Sequence, residues 1–358
     1  MVAWLDRVGD PSRSHTEGLS TRAAVEEARQ QVAAFFGARG REVCFTGGAT
    51  EAIAAACWGG AARGSHQVVP AVEHSAVRLA ASQHGEVTLV RPDRHGRVDP
   101  DAILDAVHSN TGLVHLQWGN HEVGTTQPVA QVVAACRARG VLVHVDAAQA
   151  NGHVPIDFRR LGADLLSVSA HKLGGPAGVG ALLVRQGLRI RPLLVGGDQE
   201  RARRAGYENV PGIVGFGAAC AALSEAGVLE GEADLQRRMS ARLLAALDTG
   251  DGLSGVRSYG HPEHRLPHIV CMGFDDIEPQ AVLLGLDRAG VAAHSGSACS
   301  SEDFKPSPVL EAMGVDAHHS LRISFGWSSA DVDIERLLGA LPGVLHELRA
   351  LTATGREP

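Results

Sequence analysis

The 358-residue sequence lacks the features that mark several special classes of protein. It has no apolar stretch long enough to span a bilayer, no signal peptide at its start, and no internal repeat or low-complexity tract. Its net charge of -7 argues against a surface built to hold the phosphates of nucleic acid. We therefore expect a cytoplasmic globular protein that binds neither a membrane nor nucleic acid directly.

The cysteine and histidine patterns do not match a disulfide framework or a metal site. The six cysteines include no CxxC pair. Cys299 differs from the other five because it lies among small polar residues, at 295–301, with nothing to bury it. The histidines at 261, 264 and 268 have prolines nearby and no HExxH pattern. We therefore expect a solvated loop at His261, His264 and His268, and no bound metal.

The middle of the chain has the pattern of an α/β protein. Between Val43 and Val184, short β-branched runs alternate with amphipathic stretches, which favours a mostly parallel sheet covered by helices on both faces. The predicted strands are residues 43–46, 67–70, 87–90, 113–118, 141–146 and 165–169. The predicted helices are residues 50–62, one that begins near 75, 129–139 and, later in the chain, 233–247. Sheets of this kind bind ligands beyond the carboxyl ends of their strands.

A glycine-rich segment around Gly215 and Gly217 has the composition of a linker between domains. The alternating pattern precedes it, and a charged amphipathic helix with mixed strands and helices follows it. We predict a large domain at residues 1–230 and a smaller C-terminal α+β domain at residues 231–358.

A glycine turn between a predicted strand and a predicted helix is a candidate anion site. The segment TGGATE occupies residues 46–51. Glycines let the backbone approach an anion, and a helix N-terminus offers free N–H groups and a favourable dipole. The segment is neither a Walker loop nor a dinucleotide fingerprint. A plain turn with Thr50 as the helix N-cap fits the same pattern equally well.

Lys172 follows a hydrophobic strand and precedes two glycines and a proline. A lysine at a strand end usually just reaches solvent. Here Ser169 and His171 flank it with side chains that can bind an anion. A lysine so placed can form a Schiff base with an aldehyde.

Asp146 ends the predicted strand at residues 141–146. A carboxylate in that position is costly unless it meets a cation. One such cation is the protonated pyridine nitrogen of pyridoxal 5′-phosphate (PLP), whose ring then stays an electron sink. The alternative is an aspartate that caps the following helix.

Several separated motifs, in the same order, resemble those of the cysteine desulfurases, within the class V aminotransferase group of fold-type I PLP enzymes. The resemblance runs from about Gly9 to beyond Arg322, almost the whole chain. Its most discriminating motif is SGSACSS at 295–301, which is similar to the loop that carries the sulfur-accepting cysteine in the subgroup with a long mobile loop. The other motifs are GDPS at 9–12, GGATE at 47–51, VEH at 72–74, NHEVG at 120–124, DAAQ at 146–149, SAHK at 169–172 and NVPGIVG at 209–215.

The resemblance implies how PLP is held. Lys172 would bind the cofactor covalently and move protons, and Asp146 would pair with the pyridine nitrogen. Gln149 would bond the ring hydroxyl oxygen, and His74 would stack on the ring and help proton transfer. The residues that would cradle the phosphate are Ala49, Thr50, Ser169 and His171.

The resemblance also implies the reaction. Arg322 would clamp the carboxylate of L-cysteine, with Asn120 as a further substrate contact. The thiolate of Cys299 would take the sulfur as a persulfide, and L-alanine would leave. A homodimer and a sulfur-acceptor protein are further expectations from the family.

Three features depart from the family pattern. The chain begins a few residues before Gly9 and lacks the family's leading strand, so either the start is truncated or the substrate site is more open. His121 stands where the family has an asparagine near the cofactor ring, and an imidazole is larger and titrates near neutral pH. Tyr207 replaces a threonine whose hydroxyl reaches the phosphate in the partner subunit, and its phenol can act from farther away.

Two other functions remain open. One is a selenocysteine lyase or a related PLP-dependent C–S lyase. The other is a catalytically impaired scaffold or regulatory protein with the same fold. Cys299 speaks against a simple aminotransferase, which needs no thiol, and the retention of Lys172, Asp146 and His74 speaks against the scaffold.

Overall fold

A computed structural model describes residues 1–250, 252–295 and 306–354, and the chain divides into two compact units. The first unit comprises Met1–Val90, Val98–Trp118 and Gln127–Leu229. The second comprises Arg91–Arg97, Gly119–Thr126 and the chain from Glu230 onward. Two short segments that the sequence assigned to the large domain, 91–97 and 119–126, thus belong to the second unit.

The first unit is built on a seven-stranded sheet. Its strands are β1 (Val43–Thr46), β2 (His66–Pro70), β3 (Glu86–Val90), β4 (Thr111–Gln117), β5 (Leu142–Asp146), β6 (Leu165–Ser169) and β7 (Gly180–Val184). Their order in the sheet is β1-β7-β6-β5-β4-β2-β3. All neighbours from β6 to β3 are parallel, whereas β7 is antiparallel to both β6 and β1. This architecture confirms the predicted α/β fold with a mostly parallel sheet.

The first unit also contains helices, several of which pack on this sheet. They are α1 (Val2–Leu5), α2 (Thr16–Phe35), α3 (Ala49–Ala61), α4 (Ser75–His84), α5 (Pro100–Asp105), α6 (Val129–Ala138), α7 (Phe158–Leu161), α8 (Gln199–Ala202) and α9 (Val210–Leu223). On α3, Ala52 and Ala56 lie one turn apart and pack in one cluster with Leu113, Leu165 and Leu182 from three strands. Because alanine is small, α3 can lie close to the centre of the sheet.

Gly215 and Gly217 lie inside α9, so the predicted linker at these residues is wrong. A Cβ atom on Gly217 would lie 2.7 Å from the Cα atom of Ala28 on α2. The glycine therefore lets α9 and α2 pack closely, and it serves a contact between helices rather than a flexible joint.

The second unit has a four-stranded antiparallel sheet with helices. Its strands are β8 (Val256–Tyr259), β9 (Ile269–Phe274), β10 (His294–Ser295) and β11 (Ser320–Ser324), in the order β10-β11-β9-β8. Its helices are α10 (Val228–Thr249), α11 (Pro279–Arg288), α12 (Pro308–Met313) and α13 (Asp331–Thr354). The core joins β9 to three helices through apolar side chains that include Met272, Leu243, Leu286 and Leu341.

Within the described residues, none of the helices is by itself long and apolar enough to cross a membrane, although α9 and α10 taken together meet the criterion by length and composition alone.

Candidate active site

The carboxyl ends of β1, β2, β4, β5 and β6 lie at one edge of the seven-stranded sheet. Asp146 is the last residue of β5, and Ser169 is the last residue of β6. Lys172 lies on a short 3₁₀ helix, Ala170–Leu173, directly after β6. His74 lies in the segment after β2, directly before α4. The sheet thus gathers four sequence-predicted residues at the edge where such sheets bind ligands.

Asp146 is a buried carboxyl group at this edge. Its side chain is 8% exposed, and its Oδ1 atom accepts a hydrogen bond from the N–H of Ala148 at 2.9 Å. Burial raises the pKa of Asp146 to about 6, although the Ala148 N–H and the charge of Lys172 both oppose the shift. Turns rather than a helix follow β5, so the alternative of a helix-capping aspartate is wrong.

Lys172 is half-buried, and its charge acts on three neighbouring groups. It opposes the upward pKa shift of Asp146. Burial, and after it the charge of Lys172, lowers the pKa of both His74 and His171. The amine of Lys172 therefore lies near one carboxyl group and two imidazoles. A lysine that merely reaches solvent would not have these three neighbours.

His74 is held in one orientation by α4. Its Nδ1 atom accepts a hydrogen bond from the N–H of Ala76 at 3.1 Å, which makes it the N-cap of that helix. An accepting ring nitrogen carries no proton, so the neutral ring carries its proton on Nε2. Because burial and Lys172 lower its pKa, His74 is a neutral imidazole at neutral pH, with one N–H to donate.

Glu73 is a functional candidate that the sequence analysis used only as part of a motif. It is fully buried, and its Oε1 atom accepts a hydrogen bond from the backbone N–H of Gln117 at the end of β4. Its Oε2 atom has no hydrogen-bond partner among the described residues. Burial and the nearby Asp146 raise the pKa of Glu73 well above its usual value, which favours the neutral form of this carboxyl group.

The glycine turn at residues 46–51 lies close to the end of β6, and Gly180 leaves the space between them open. Gly180 begins β7 and pairs with Thr46 on one side and with Ser169 on the other. A Cβ atom on Gly180 would lie 2.5 Å from the carbonyl oxygen of Val168 and 2.9 Å from the Cα atom of Gly48. The start of α3 and the end of β6 therefore flank one small cradle.

The first turn of α3 supplies the N–H groups of this cradle. The helix begins at Ala49, and its N-cap is Gly48, so the alternative with Thr50 as N-cap is wrong. Gly48 has a φ of 147°, which glycine adopts readily and other residues do not. The first intrahelical bond is from the N–H of Ala52 to the oxygen of Gly48, so the N–H groups of Ala49 and Thr50 have no acceptor within the helix.

Asn151, which the sequence analysis missed, holds Ser169 in the cradle. It is fully buried, its Oδ1 atom accepts from the N–H of Ser169 at 3.2 Å, and its Nδ2 atom donates to the oxygen of Ser169 at 3.1 Å. The hydroxyl of Ser169 bonds Nδ1 of His171 at 2.8 Å. These bonds fix both the backbone and the side chain at the end of β6.

Gln149 and Tyr207 occupy different surroundings. Gln149 is half-buried, three residues after Asp146. Tyr207 is exposed, and its hydroxyl donates to the carbonyl oxygen of Gly9 at 2.7 Å. The contact of Tyr207 with a partner's phosphate stays a prediction.

In the second unit, Asn120 stabilises the turn that it begins. Its Oδ1 atom accepts hydrogen bonds from the N–H groups of Glu122 and Val123, each at 2.8 Å. Its carbonyl oxygen accepts from the N–H of Gly124, whose φ of 75° favours glycine. The side-chain oxygen of Asn120 thus serves its own backbone, and its contact with substrate stays a prediction.

Arg322 lies on β11 beside the same turn of the second unit. Its Nη1 atom donates to the carbonyl oxygen of His121 at 2.8 Å, and its Nε atom has no hydrogen-bond partner among the described residues. Burial raises the pKa of Glu122 to about 7, while the hydroxyl of Ser307 and the charge of Arg322 oppose this shift. The guanidinium therefore keeps donor capacity for another carboxylate.

Five of the six cysteines lie in the described part of the chain, and all five are buried. Burial raises the thiol pKa to about 12 for Cys44 and Cys57 and to about 11 for Cys136, and it also raises that of Cys220 and Cys271. None of these five is suited to act as a thiolate near neutral pH. Cys299, the predicted sulfur acceptor, lies outside the described residues.

The histidines at 261, 264 and 268 have different surroundings. His261 and His264 have ring centres 4.6 Å apart, but the Nδ1 atom of His261 already accepts two backbone N–H groups. His268 is only 2% exposed, so the predicted solvated loop is wrong at this residue. No cluster of potential metal ligands occurs in the ranges that the structure describes.

Comparisons with known proteins identify relatives of this chain in sequence and in fold. The family model described as aminotransferase class V matches residues 5–337. A cysteine desulfurase of Archaeoglobus fulgidus is 39% identical over 97% of this chain and 92% of its own length. A solved NifS-like protein has a TM-score of 0.88 at 30% identity and covers 97% of this chain and 94% of its own. The solved structure of SspA in complex with cysteine has a TM-score of 0.77 at 28% identity, over 91% of this chain and 94% of its own.

The fold is that of the fold-type I enzymes, with a mostly parallel seven-stranded sheet and a smaller antiparallel one. The chain belongs to the cysteine desulfurase family of the class V aminotransferases. Enzymes of this family depend on PLP.

Proposed function

We propose that this protein is a cysteine desulfurase, which converts L-cysteine to L-alanine and keeps the sulfur as a persulfide on Cys299. The observation that carries the proposal is the amine of Lys172 in electrostatic reach of the buried carboxyl group of Asp146, at the carboxyl edge of the sheet. A reactive amine beside a buried acid is the minimum that a PLP site requires.

Three observations on the described residues support PLP as the cofactor. Asp146 is a buried acid that needs a cationic partner, and the pyridine nitrogen of PLP is one. Gly180 leaves room for a phosphate between the start of α3 and the end of β6. Glu73 has a buried oxygen without a partner among the described residues.

The residues that would hold PLP follow from these positions. Lys172 would bind its aldehyde, Asp146 its ring nitrogen and Gln149 its ring hydroxyl oxygen. The groups around the phosphate would be Ala49, Thr50, Ser169, His171 and, from a second subunit, Tyr207. His121 would contribute near the ring. When bound, PLP supplies an electron sink for the bonds at the α-carbon of the substrate.

The side chains of this protein would then do the acid–base work. The amine of Lys172, freed when substrate displaces it, can remove and return a proton at the α-carbon. His74 is neutral and carries its proton on Nε2, so this N–H would donate a hydrogen bond to the cofactor or the substrate. Arg322 would bind the carboxylate of the substrate through its guanidinium, whose Nε atom has no hydrogen-bond partner among the described residues, with Asn120 as a further contact.

Cys299 would take the sulfur. Burial keeps the other five cysteines protonated, so Cys299 is the remaining candidate for a thiolate. Its sulfur would form an S–S bond to the substrate's sulfur while the substrate's C–S bond breaks and leaves its electron pair on carbon. A proton completes the methyl group of L-alanine, so the step needs no external oxidant.

A homodimer and a sulfur-acceptor protein complete the proposal. Several apolar side chains at the start of the chain are exposed, among them Val2, Leu5 and Val8, which is consistent with cover by a second copy. Sedimentation velocity should give a mass near twice that of the 37.4 kDa chain, and a monomer at micromolar concentration would contradict the dimer. The acceptor protein would carry a thiol that attacks the persulfide and takes its outer sulfur.

The test of the function measures two products. The purified protein with PLP, L-cysteine and a reductant should form L-alanine and sulfide in equal amounts. Cys299→Ala should form neither, whereas the control Cys136→Ala should retain both. Alanine formation by Cys299→Ala would remove the persulfide role, and a PLP-loaded wild type inert to both cysteine and selenocysteine would favour a scaffold.

A further inference from the structure

Four fully buried polar side chains form a continuous hydrogen-bonded row across the central strands of the first unit. The Oε1 atom of Gln67 on β2 lies 2.7 Å from Nε2 of His115 on β4. The Nδ1 atom of His115 lies 2.9 Å from Nδ1 of His144 on β5. The Nε2 atom of His144 lies 2.7 Å from the hydroxyl of Ser167 on β6. Apolar side chains usually fill the centre of such a sheet, so this row calls for a function.

The bonds fix every proton in the row. The Nε2 atom of Gln67 donates to the oxygen of Cys57 at 3.5 Å, so its Oε1 atom faces His115 and can only accept. His115 therefore carries its proton on Nε2 and accepts at Nδ1. His144 must then carry its proton on Nδ1 and accept at Nε2, to which Ser167 donates. The two histidines have opposite tautomers, and the Sγ atom of Cys57 also lies 3.8 Å from Nε2 of His115.

Both histidines are neutral. Burial lowers the pKa of His115 to about 3, and burial together with His115 lowers that of His144 well below its usual value. A second proton on His115 would lie on its Nδ1 atom and face the Nδ1–H of His144 across the 2.9 Å contact. The row is therefore an uncharged unit with a single hydrogen-bonding arrangement.

The row lies next to the candidate active site along each strand. His144 precedes Asp146 by two positions on β5, and Ser167 precedes Ser169 by two positions on β6. Residues two apart on a strand point to the same face of the sheet. His115 stands in the same relation to Gln117 on β4, whose backbone N–H binds Glu73. His115, His144 and Ser167 therefore each lie two positions before a residue of the site, on the same strand and the same face of the sheet.

We propose that Gln67, His115, His144 and Ser167 form a positioning device that fixes the register of four strands and so directs Asp146 and Ser169 toward the cofactor; this inference rests on the proposed PLP function. Apolar packing would hold the strands together, but it would not select one position of Asp146 along β5 relative to the adjacent strands. The directional hydrogen bonds between side chains on adjacent strands do select one such position.

The test compares variants of the row with a packing control on the same strand. Ser167→Ala removes one hydroxyl, and His144→Leu breaks the row at its centre. Val143→Ala truncates a fully buried neighbour whose side chain points to the opposite face. The PLP dissociation constant of each apoprotein is measured by absorbance titration, and its stability by urea unfolding. We expect a loss of PLP affinity of about tenfold for His144→Leu and less for Ser167→Ala, with no loss for Val143→Ala.

The outcomes separate this inference from the proposed function. If wild type binds no PLP, the proposed function fails. If wild type binds PLP and the row variants lose no more affinity than Val143→Ala at matched stability, the row is only structural and the inference is overturned. His144→Gln, which keeps a donor and an acceptor, should recover part of the affinity. Imidazole ¹⁵N spectra of the apoprotein should show His115 protonated on Nε2 and His144 on Nδ1, and any other pair of tautomers contradicts the row.

Discussion

Glu73 and Gln117 each use their side chain to join the segment after β2 to the end of β4. The carboxyl group of Glu73 accepts the backbone N–H of Gln117, and the side-chain amide of Gln117 donates to the oxygen of Val72 at 2.9 Å. The next residue, His74, thereby enters α4 from a fixed position. Glu73 is thus placed to orient the imidazole that the proposed mechanism uses.

Glutamine at position 73 should replace the native glutamate almost without loss. Burial raises the pKa of Glu73 and so favours the protonated carboxyl group, whose charge and shape Glu73→Gln preserves. Glu73→Leu leaves the N–H of Gln117 without its acceptor and should lower the free energy of unfolding by about 1–3 kcal/mol. Urea unfolding and PLP titration check both variants, and a large loss of PLP affinity in Glu73→Gln would show that the ionised form is the functional one.

The raised pKa of Glu73 also predicts a pH dependence. A carboxyl group with a raised pKa in the folded state stabilises the fold below its unfolded pKa, and this contribution is lost as the pH rises through the folded pKa. Stability of the wild type should therefore fall more than that of Glu73→Gln as the pH rises above the ordinary pKa of a glutamate, about 4.3. Parallel slopes for the two proteins would contradict a neutral Glu73.

PLP affinity should fall as the pH drops through about 6, because the pKa of Asp146 is raised to about 6 and its protonated form no longer attracts the ring nitrogen. Asp146→Asn keeps the shape without the charge and should bind weakly at every pH, with no step near that value. The control Asp157→Asn changes a carboxylate that caps α7. A step of unchanged size in Asp146→Asn would assign it to another group.

Asn151→Ala should weaken the phosphate end of the site specifically. The variant loses both bonds to the backbone of Ser169, which costs on the order of 1–3 kcal/mol of stability. Titration with PLP and with pyridoxal, which has no phosphate, separates the two ends of the cofactor. We expect the advantage of PLP over pyridoxal to shrink. An equal loss for both ligands would mean that Asn151 acts on the fold alone.

Arg322→Lys should raise the KM for L-cysteine more than it lowers kcat. A lysine cannot offer the two parallel N–H groups that a carboxylate accepts from arginine. We expect KM to rise by about tenfold or more. Arg257→Lys, on β8 of the same unit, is the matched control because its guanidinium pairs with Asp275. A change confined to kcat would remove Arg322 from substrate binding.

The sequence predicted the parts of the fold that depend on local pattern. The structure has β1 and β6 at the predicted residues, and α3 one residue earlier than predicted at each end. The sequence did not predict β7 or its antiparallel pairing, because strand direction is not encoded in a run of apolar residues. The glycines of α9 were interpreted as a linker, because glycine composition does not distinguish close packing from flexibility.

The site divides in the same way. Asp146 and Lys172 were predicted because their motifs are local, and the sheet brings them to one edge. Glu73 and Asn151 were missed because each acts on the backbone of a distant strand, which no local pattern reveals. His268 was expected in solvent and is buried, because tertiary packing decides the exposure of a histidine beside prolines.

The central claim is that Lys172 carries the cofactor, and the sequence allows a decisive measurement because it contains only one other lysine, Lys305. The PLP-loaded protein is reduced with borohydride, which makes the bond between lysine and cofactor permanent, and its peptides are then weighed by mass spectrometry. The added mass of the reduced cofactor should appear on the peptide with Lys172, and it should be lost in Lys172→Arg but not in Lys305→Arg. The same mass on Lys305, or on neither lysine of a yellow protein, would contradict this claim.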